Sequence, residues 1–141
     1  MNTRCITFAA GLSMLALSTS ARSHDHQSQA GNVVPRFSQA LPNVPGKSMI
    51  AVEVTLAPGQ VSVPHRHAKS AFIMAYVLSG AILNQVEGEP AKVYRAGETW
   101  METPGAHHIK ATNMSKAKSA RLLAVFVVDS DEKDLTTIDA K

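Results

Sequence analysis

The sequence has 141 residues, of which 45% are hydrophobic and 5% aromatic, and its formal net charge is +3. This length and composition suit one domain with its own core, and the basic residues are scattered, which argues against a nucleic-acid partner. The single cysteine, Cys5, excludes intrachain disulfide bonds and leaves no thiol chemistry to the residues that follow it.

The first 21 residues have the pattern of a secretory signal peptide. Arg4 precedes a mostly apolar run over residues 5–17, and small residues follow it at 18–21. The apolar run is too short for a transmembrane helix. We therefore predict cleavage after Ala21, with cleavage after Ser23 as the alternative. The mature protein is expected to be secreted or periplasmic, with no stable membrane insertion.

The rest of the chain predicts an all-β protein. Residues 22–47 are polar and contain three prolines, which indicates an extended N-terminal arm that lays one strand on the domain. The domain itself covers residues 48–130, with strands predicted over residues 49–56, 60–67, 71–78, 81–86, 91–95, 98–102, 107–112 and 120–128. The run over 71–78 is apolar throughout, which is typical of a strand buried on both faces. The tail, residues 131–141, is expected to form a short helix or a frayed end.

Two histidines two residues apart, His65 and His67, are the most informative polar residues. On a strand they point to the same side as Val61 and Val63, so the histidines continue an inward apolar row. Imidazoles at the end of such a row are suited to bind a divalent transition metal. A third imidazole follows about forty residues later at residues 107–108, just after a Pro-Gly turn.

These residues resemble the two sequence motifs of the cupin superfamily, whose members are small jelly-roll barrels. The residues that match the motif spacing are Gly59, His65, His67, Gly97, Gly105 and His108. The second motif departs from the pattern, because its proline falls at Pro104 and its asparagine, Asn113, comes one residue late. The resemblance covers about residues 48–128 and implies a double-stranded β-helix, the cupin jelly-roll barrel, with a mononuclear metal site at one barrel mouth.

The sequence also departs from the usual cupin pattern at a metal-binding glutamate, whose place is taken by Ala71 or Phe72. The resemblance then implies a site of three imidazoles, and its metal ligands are His65, His67 and His108. Glu102 is a candidate to compensate, either as a hydrogen-bond acceptor for a ligand or as a catalytic acid-base residue. Three imidazoles suit iron, manganese, zinc, nickel and copper, so the identity of the divalent transition metal ion stays open.

Motif spacing and strand alternation disagree about the third histidine. Spacing from Gly105 favours His108, whereas alternation groups His107 with the apolar Ile109 and Ala111 and would turn His107 inward. We follow the spacing, because a turn or bulge can reset the alternation, and we keep His107 as the alternative.

The resemblance leaves three functions open. These are a metal-dependent, dioxygenase-like enzyme acting on a small organic molecule, a non-catalytic module that binds a small ligand or metal, and a structural barrel with a vestigial site. Phe72, Met74 and Trp100 are candidates for an apolar pocket wall, and Arg66, between the two histidines, is expected to point outward. The arm and an exposed strand edge predict a homodimer.

Overall fold

The computed structural model describes residues 31–140, and this part of the chain contains ten β-strands and no helix. The strands are β1 (Asn32–Ala40), β2 (Lys47–Leu56), β3 (His65–His67), β4 (Phe72–Ser79), β5 (Ala81–Val86), β6 (Lys92–Arg95), β7 (Thr99–Glu102), β8 (His107–Asn113), β9 (Ala120–Asp129) and β10 (Thr136–Ile138). Nothing in the described range is a helix of the length and hydropathy that a membrane crossing needs. The predicted signal peptide, residues 1–21, and residues 22–30 lie outside the described residues.

The strands form two antiparallel sheets that pack face to face. The first sheet has the order β1-β2-β9-β4-β7, and the second sheet has the order β10-β3-β8-β5-β6. Strands that are neighbours in each sheet are mostly distant in sequence, because the chain crosses repeatedly from one sheet to the other. This is the arrangement of a double-stranded β-helix, so the predicted all-β jelly-roll barrel is confirmed.

The core lies between the two sheets and is built from alternate residues of the strands. The largest fully buried hydrophobic side chains are Leu56, Ile73, Val77, Ile82 and Val128. Burial of an aliphatic side chain of this size contributes about 1.5–3 kcal/mol, and β-branched side chains pack well on a pleated surface. The alternating apolar pattern therefore both forms the strands and closes the barrel.

β4 corrects the prediction of a strand buried on both faces. Its side chains alternate, so that Ile73 and Ala75 are buried, whereas Phe72 is 43% exposed and Met74 is 37% exposed. Only one face of β4 meets the second sheet. A continuous apolar run was therefore not evidence for two buried faces.

β3 is shorter than predicted, because only His65–His67 form the strand. Pro64 has no N–H to donate to a neighbouring strand, which explains why the strand starts after it. Val61 makes a single bridge to Thr112 and is half exposed, so the prediction that it points inward with the histidines is wrong. Val63 does line the barrel interior.

Both ends of the described chain add a strand to the barrel. β1 pairs with β2 along its whole length, with a register shift between Pro35 and Phe37, and it is the strand predicted for the arm. β10 pairs with β3, and Thr136 lies opposite His67. The prediction of a short helix or a frayed end for the tail is therefore wrong over Thr136–Ile138, where three consecutive β-branched residues form a strand.

Asn113, the last residue of the second motif, has a structural role. Its side chain is buried, and its Nδ2 donates hydrogen bonds to the carbonyl oxygens of Leu56, Ala57 and Lys118 at 3.1, 2.9 and 2.8 Å. Its Oδ1 accepts a hydrogen bond of 3.0 Å from the backbone N–H of Ser115. An amide can serve here because it both donates and accepts, and it ties the end of β2 to the loop before β9.

Candidate metal centre

Three histidine side chains converge inside the barrel. His65 and His67 extend from β3, and His108 lies directly opposite His65 on the neighbouring β8. The ring centroids are 4.9 Å apart for His65 and His67, 5.0 Å for His65 and His108, and 5.9 Å for His67 and His108. One nitrogen of each ring lies within 4.8 Å of the others. The structure thus brings together the three histidines predicted from the motifs.

An irregularity in β8 explains why His108 and not His107 joins this cluster. The register between β5 and β8 shifts at Gln85 and Val86, which resets the alternation, so that the His108 ring is buried inside the barrel. The His107 ring lies on the other side of the sheet, where its Nε2 is 2.7 Å from a carboxylate oxygen of Asp139. His107, the alternative suggested by strand alternation, is therefore not part of the cluster.

Arg66 lies between the two histidines of β3 and points outward, as predicted. Its exposed guanidinium is 3.2 Å from Nδ1 of His107 and 3.7 Å from a carboxylate oxygen of Glu87. β3 and β8 therefore carry the imidazoles of the cluster on their inner side and charged groups on their outer side.

Hydrogen bonds to backbone carbonyls leave one free nitrogen on each of two rings. Nδ1 of His65 donates to the carbonyl oxygen of Val63 at 2.8 Å, which leaves its Nε2 free. Nε2 of His108 donates to the carbonyl oxygen of Lys110 at 3.1 Å, which leaves its Nδ1 free. Both ring nitrogens of His67 are buried and have no hydrogen-bond partner. Each histidine can therefore offer a nitrogen lone pair to a cation.

A fourth polar side chain, Glu102 of β7, enters the cluster from the first sheet and is 4% exposed. Its Oε1 accepts a hydrogen bond of 3.0 Å from Nε1 of Trp100 and lies 3.6 Å from Nδ1 of His108. Its Oε2 lies 2.9 Å from Nε2 of His67, yet neither atom has a hydrogen-bond partner. The two atoms are thus in close contact without the geometry of an N–H···O hydrogen bond.

Glu102 therefore places a carboxylate beside the imidazoles from β7, a strand that neighbours β4. It lies directly across from Ile73 of β4, and both side chains point into the barrel. Ala71 and Phe72 have no ligand atom, and Phe72 lies outside the barrel. The side chains that meet in the barrel thus include a carboxylate as well as the three imidazoles that the motifs implied.

The protonation states suit a cation. Burial raises the pKa of Glu102, but the contact with His67 and the charges of His108 and His67 outweigh burial and lower this pKa to about 2. Burial lowers the pKa of His108 to about 4, against the opposing effect of Glu102. Burial also lowers the pKa of His65. At neutral pH, Glu102 is therefore ionised and His65 and His108 are neutral, as metal binding requires.

The separation between Glu102 and His67 also matches that of two adjacent ligands of a divalent transition metal. Ligands about 2.1 Å from a cation lie roughly 3.0 Å apart in octahedral geometry and roughly 3.4 Å apart in tetrahedral geometry. The observed separation is 2.9 Å between His67 Nε2 and Glu102 Oε2, and the three imidazole nitrogens lie within 4.8 Å of one another. Imidazole and carboxylate donors suit several first-row metals, so the geometry supports a metal site and leaves its ion open.

The cluster lies at the wall of a cavity of about 320 Å³ between the sheets. The lining is mainly apolar and includes Val52, Leu56, Ile73, Trp100, Leu122 and Phe126. Of the described residues that line the cavity, none is a lysine or an arginine. Trp100 belongs to the wall as predicted. Phe72 and Met74 lie on the outer face of the first sheet, so the prediction that they line the pocket is wrong.

Residues from both ends of the described part of the chain complete the cavity wall, and sequence reasoning missed them. Val33 of β1 lines it from one end, and the tail contributes Leu135, Thr136 and Ile138. The tail reaches the site through pairing of β10 with β3, which joins residues about seventy positions apart. No local pattern in the tail indicates this contact, because it depends on the closure of the whole barrel.

The fold and the two motifs define the class of protein. The cupin domain family matches residues 52–126, more than half of the chain, and the chain belongs to that family. No curated protein matches the sequence.

Solved structures support the fold assignment. TT1209 from Thermus thermophilus is similar at 25% identity with a TM-score of 0.54, over 70% of this chain and 84% of that one. A conserved protein with a double-stranded β-helix domain from Klebsiella pneumoniae aligns at 17% identity and TM-score 0.56, over 86% of this chain and 100% of that one. Oxalate oxidase in complex with glycolate aligns at 24% identity and TM-score 0.54, over 79% of this chain and 60% of that one. The last two similarities concern the fold alone.

Proposed function

We propose that this chain is an exported cupin that binds a divalent transition metal ion through His65, His67 and His108 and holds a small organic molecule beside it. One observation carries the proposal, namely three imidazoles whose nitrogens lie within 4.8 Å of one another at the wall of an apolar cavity. A buried polar atom without a partner costs about 1–3 kcal/mol. A cation bound to the unpartnered nitrogens would remove that cost. The pattern of residues 1–21 is the basis for proposing export.

In this proposal Glu102 belongs to the metal site and is not an acid-base catalyst. Because its pKa is about 2, Glu102 stays ionised at neutral pH and is a poor proton donor and a weak base. Its Oε2 would bind the metal beside Nε2 of His67, while the hydrogen bond from Trp100 holds Oε1 in place. The carboxylate would also offset part of the charge of a divalent cation.

The cavity favours a neutral or singly charged organic molecule with an oxygen donor at one end. Aliphatic and aromatic walls favour an apolar body, and no lysine or arginine of the described lining could neutralise a dianion. The hydroxyl of Ser62 already accepts a hydrogen bond of 2.7 Å from the N–H of Ala111. The oxygen end would therefore face the imidazoles, and the apolar end would contact Leu122 and Phe126. A bound redox-active metal would supply the oxidising centre of an oxygenase, which is the reaction class that we propose.

A second function, non-catalytic binding, is favoured by a different observation. Among the described lining residues, the titratable side chains are the three histidines and Glu102. If all four hold the metal, none remains to transfer protons to a bound molecule. A module that only captures the metal or a small ligand needs no such group.

Metal content of the purified protein tests the site. Without chelators or a histidine tag, we expect near-stoichiometric metal in the wild type and little in a His65→Ala/His67→Ala variant. His107→Ala is the matched control, because it removes an imidazole that is adjacent in sequence but lies outside the cluster. Equal traces of metal in all three proteins would contradict the metal site.

Oxygen consumption separates the two functions. The metal-loaded protein is offered neutral and monoanionic enols, phenols and thiols in air. Turnover that disappears in the double histidine variant supports the oxygenase, whereas saturable binding without oxygen uptake supports the binding module. Export is tested separately by the N-terminus of the protein recovered from the medium or periplasm, which should begin at Arg22, or at His24 for the alternative cleavage.

A further inference from the structure

The outer face of the first sheet is apolar. It carries six of the eleven exposed large hydrophobic side chains in the described part of the chain, and we call this set the outer face. Its members are Phe37, Phe72, Met74, Tyr76, Leu78 and Met101. Soluble monomers rarely expose large contiguous apolar patches, so a face of this kind marks an interaction surface.

Strand register shows that this apolar surface is continuous across the sheet. Phe37 lies opposite Ala51, Ala51 opposite Val125, Val125 opposite Met74, and Met74 opposite Met101. This row crosses all five strands from β1 to β7 and contains no charged or polar side chain. The second sheet differs, because its outer side carries charged groups.

The two ends of this face carry opposite charge. Near the start of β9 two arginines surround Glu53, and one of them, Arg121, is about half exposed. At the other end of β9, Asp129 is paired with Lys47, and the exposed Asp131 follows it. The ten residues of β9 separate these two ends by roughly 30 Å.

We propose that a second copy of this chain covers the outer face across a two-fold axis that lies between the two facing sheets, runs parallel to the apolar row from Phe37 to Met101 and passes close to Val125. Such a rotation places the apolar row of one copy on that of the other. Because the axis runs across the strands, the rotation also sets the basic end of each copy against the acidic end of its partner, so the charges of the two copies are complementary. The proposal does not depend on the metal site, and it places the predicted homodimer contact on a sheet face instead of a strand edge or the arm.

The size of the face suits a reversible dimer. Five strands about 4.8 Å apart and the seven residues of β4 from Phe72 to Leu78 span roughly 19 by 20 Å. With its corrugation, each copy offers on the order of 500 Å² of surface, and the pair buries on the order of 1,000 Å², which is the lower limit for a specific interface. We therefore expect a dissociation constant in the micromolar range.

Sedimentation equilibrium of the protein from about 1 to about 100 µM tests the proposal. Met101→Glu should raise the dissociation constant at least about tenfold, because each dimer would bury two new carboxylates. Met114→Glu is the matched control, since Met114 is 49% exposed against 61% for Met101 but lies outside the outer face. A wild type that stays monomeric, or an equal effect of both substitutions, would overturn the proposal. Urea unfolding midpoints show whether each variant is folded.

Charge reversal tests the two-fold arrangement on its own. Arg121→Glu should weaken the dimer, and adding Asp131→Arg in the same chain should restore it, since the two residues meet across the axis. A double variant that is as weak as the single one would overturn this orientation. A second check is Met74→Cys in a Cys5→Ser background, which should form a disulfide-linked dimer on oxidation, whereas Met114→Cys should not.

Discussion

The two faces of the first sheet are both apolar, yet they have different surroundings. On β4, Ile73 and Ala75 face the second sheet and line the cavity beside the imidazoles, while Met74 and Tyr76 face away from it. Hydrophobicity along this strand does not distinguish the two sets. What distinguishes them is the partner, because the second sheet covers the inner set and no described residue of this chain covers the outer set.

The largest contrast between these faces is expected in stability. Ile73→Ala removes a fully buried side chain and should lower the free energy of unfolding by about 2–5 kcal/mol. Met74→Ala, one residue away on the outer face, should lower it by less than about 1 kcal/mol in the monomer. Urea unfolding at low protein concentration measures both values, and equal losses would contradict the assignment of the two faces.

Low pH should also lower the free energy of unfolding, through the titratable groups buried on the inner side of the barrel. The pKa of His108 is about 4 in the folded protein and ordinarily 6.5, so the unfolded chain binds more protons between these values and stability falls as pH decreases from 6.5 to 4. Glu102, with a pKa of about 2 against 4.5, adds a second loss as pH falls below 4.5. In metal-free protein, we expect protonation of His108 to account for a loss on the order of 3 kcal/mol in the free energy of unfolding. Urea unfolding across this range measures the loss, and His108→Gln should reduce its upper part but not abolish it, because burial also lowers the pKa of His65. A flat profile above pH 4.5 would contradict the burial of His108.

Glu102→Gln separates the metal ligands from the rest of the cavity wall. The amide keeps the size of the side chain and can still accept the hydrogen bond from Trp100, but it loses the negative charge beside His67. We expect metal affinity to fall about 10–100-fold, as measured by competition with a chelating dye. Glu87→Gln, an exposed carboxylate on the outer side of the second sheet, is the control and should leave affinity unchanged. Unchanged affinity in Glu102→Gln would exclude this carboxylate from the site.

The smallest effect is expected at the tail, where a contact between Asp139 and His107 on the outer side of the second sheet helps to hold part of the cavity wall. Asp139→Asn weakens the contact with His107 and should reduce hydrogen-exchange protection of Thr136–Ile138 by a few-fold at most. Asp131→Asn, in the same tail but away from His107, should leave that protection unchanged. Equal protection in wild type and Asp139→Asn would show that β-pairing alone holds the tail strand.

Much of the fold could be predicted from local pattern. Gly and Pro separate the strands, and alternation marks their inward sides, so the eight strands predicted between residues 48 and 130 are all present, seven with small changes at their ends and β3 reduced to His65–His67. Motif spacing also identified His108, because the Pro-Gly turn before it is local. Strand alternation by itself favoured His107. It could not account for the register shift at Gln85 and Val86, because that shift depends on the pairing of β8 with β5.

The missed features all depend on contacts between distant segments. Glu102 was recognised as a candidate, but its place beside His67 follows from the pairing of β7 with β4 and the packing of the two sheets. The tail strand and its cavity residues follow from β10 joining β3. Phe72 and Met74 were assigned to the pocket because a continuous apolar run does not indicate which of the two faces of the strand packs against the other sheet.

The sequence by itself determined the all-β class, the positions of most strands and the three histidines, since alternation, turn residues and motif spacing are encoded within short segments. Only the tertiary structure decided that a carboxylate lies beside the imidazoles, that the tail lines the cavity, and that four of the seven apolar residues of β4 face outward. The physical reason is that these outcomes depend on strand register and on which sheet lies opposite. Those relations arise only when segments far apart in the chain pack together.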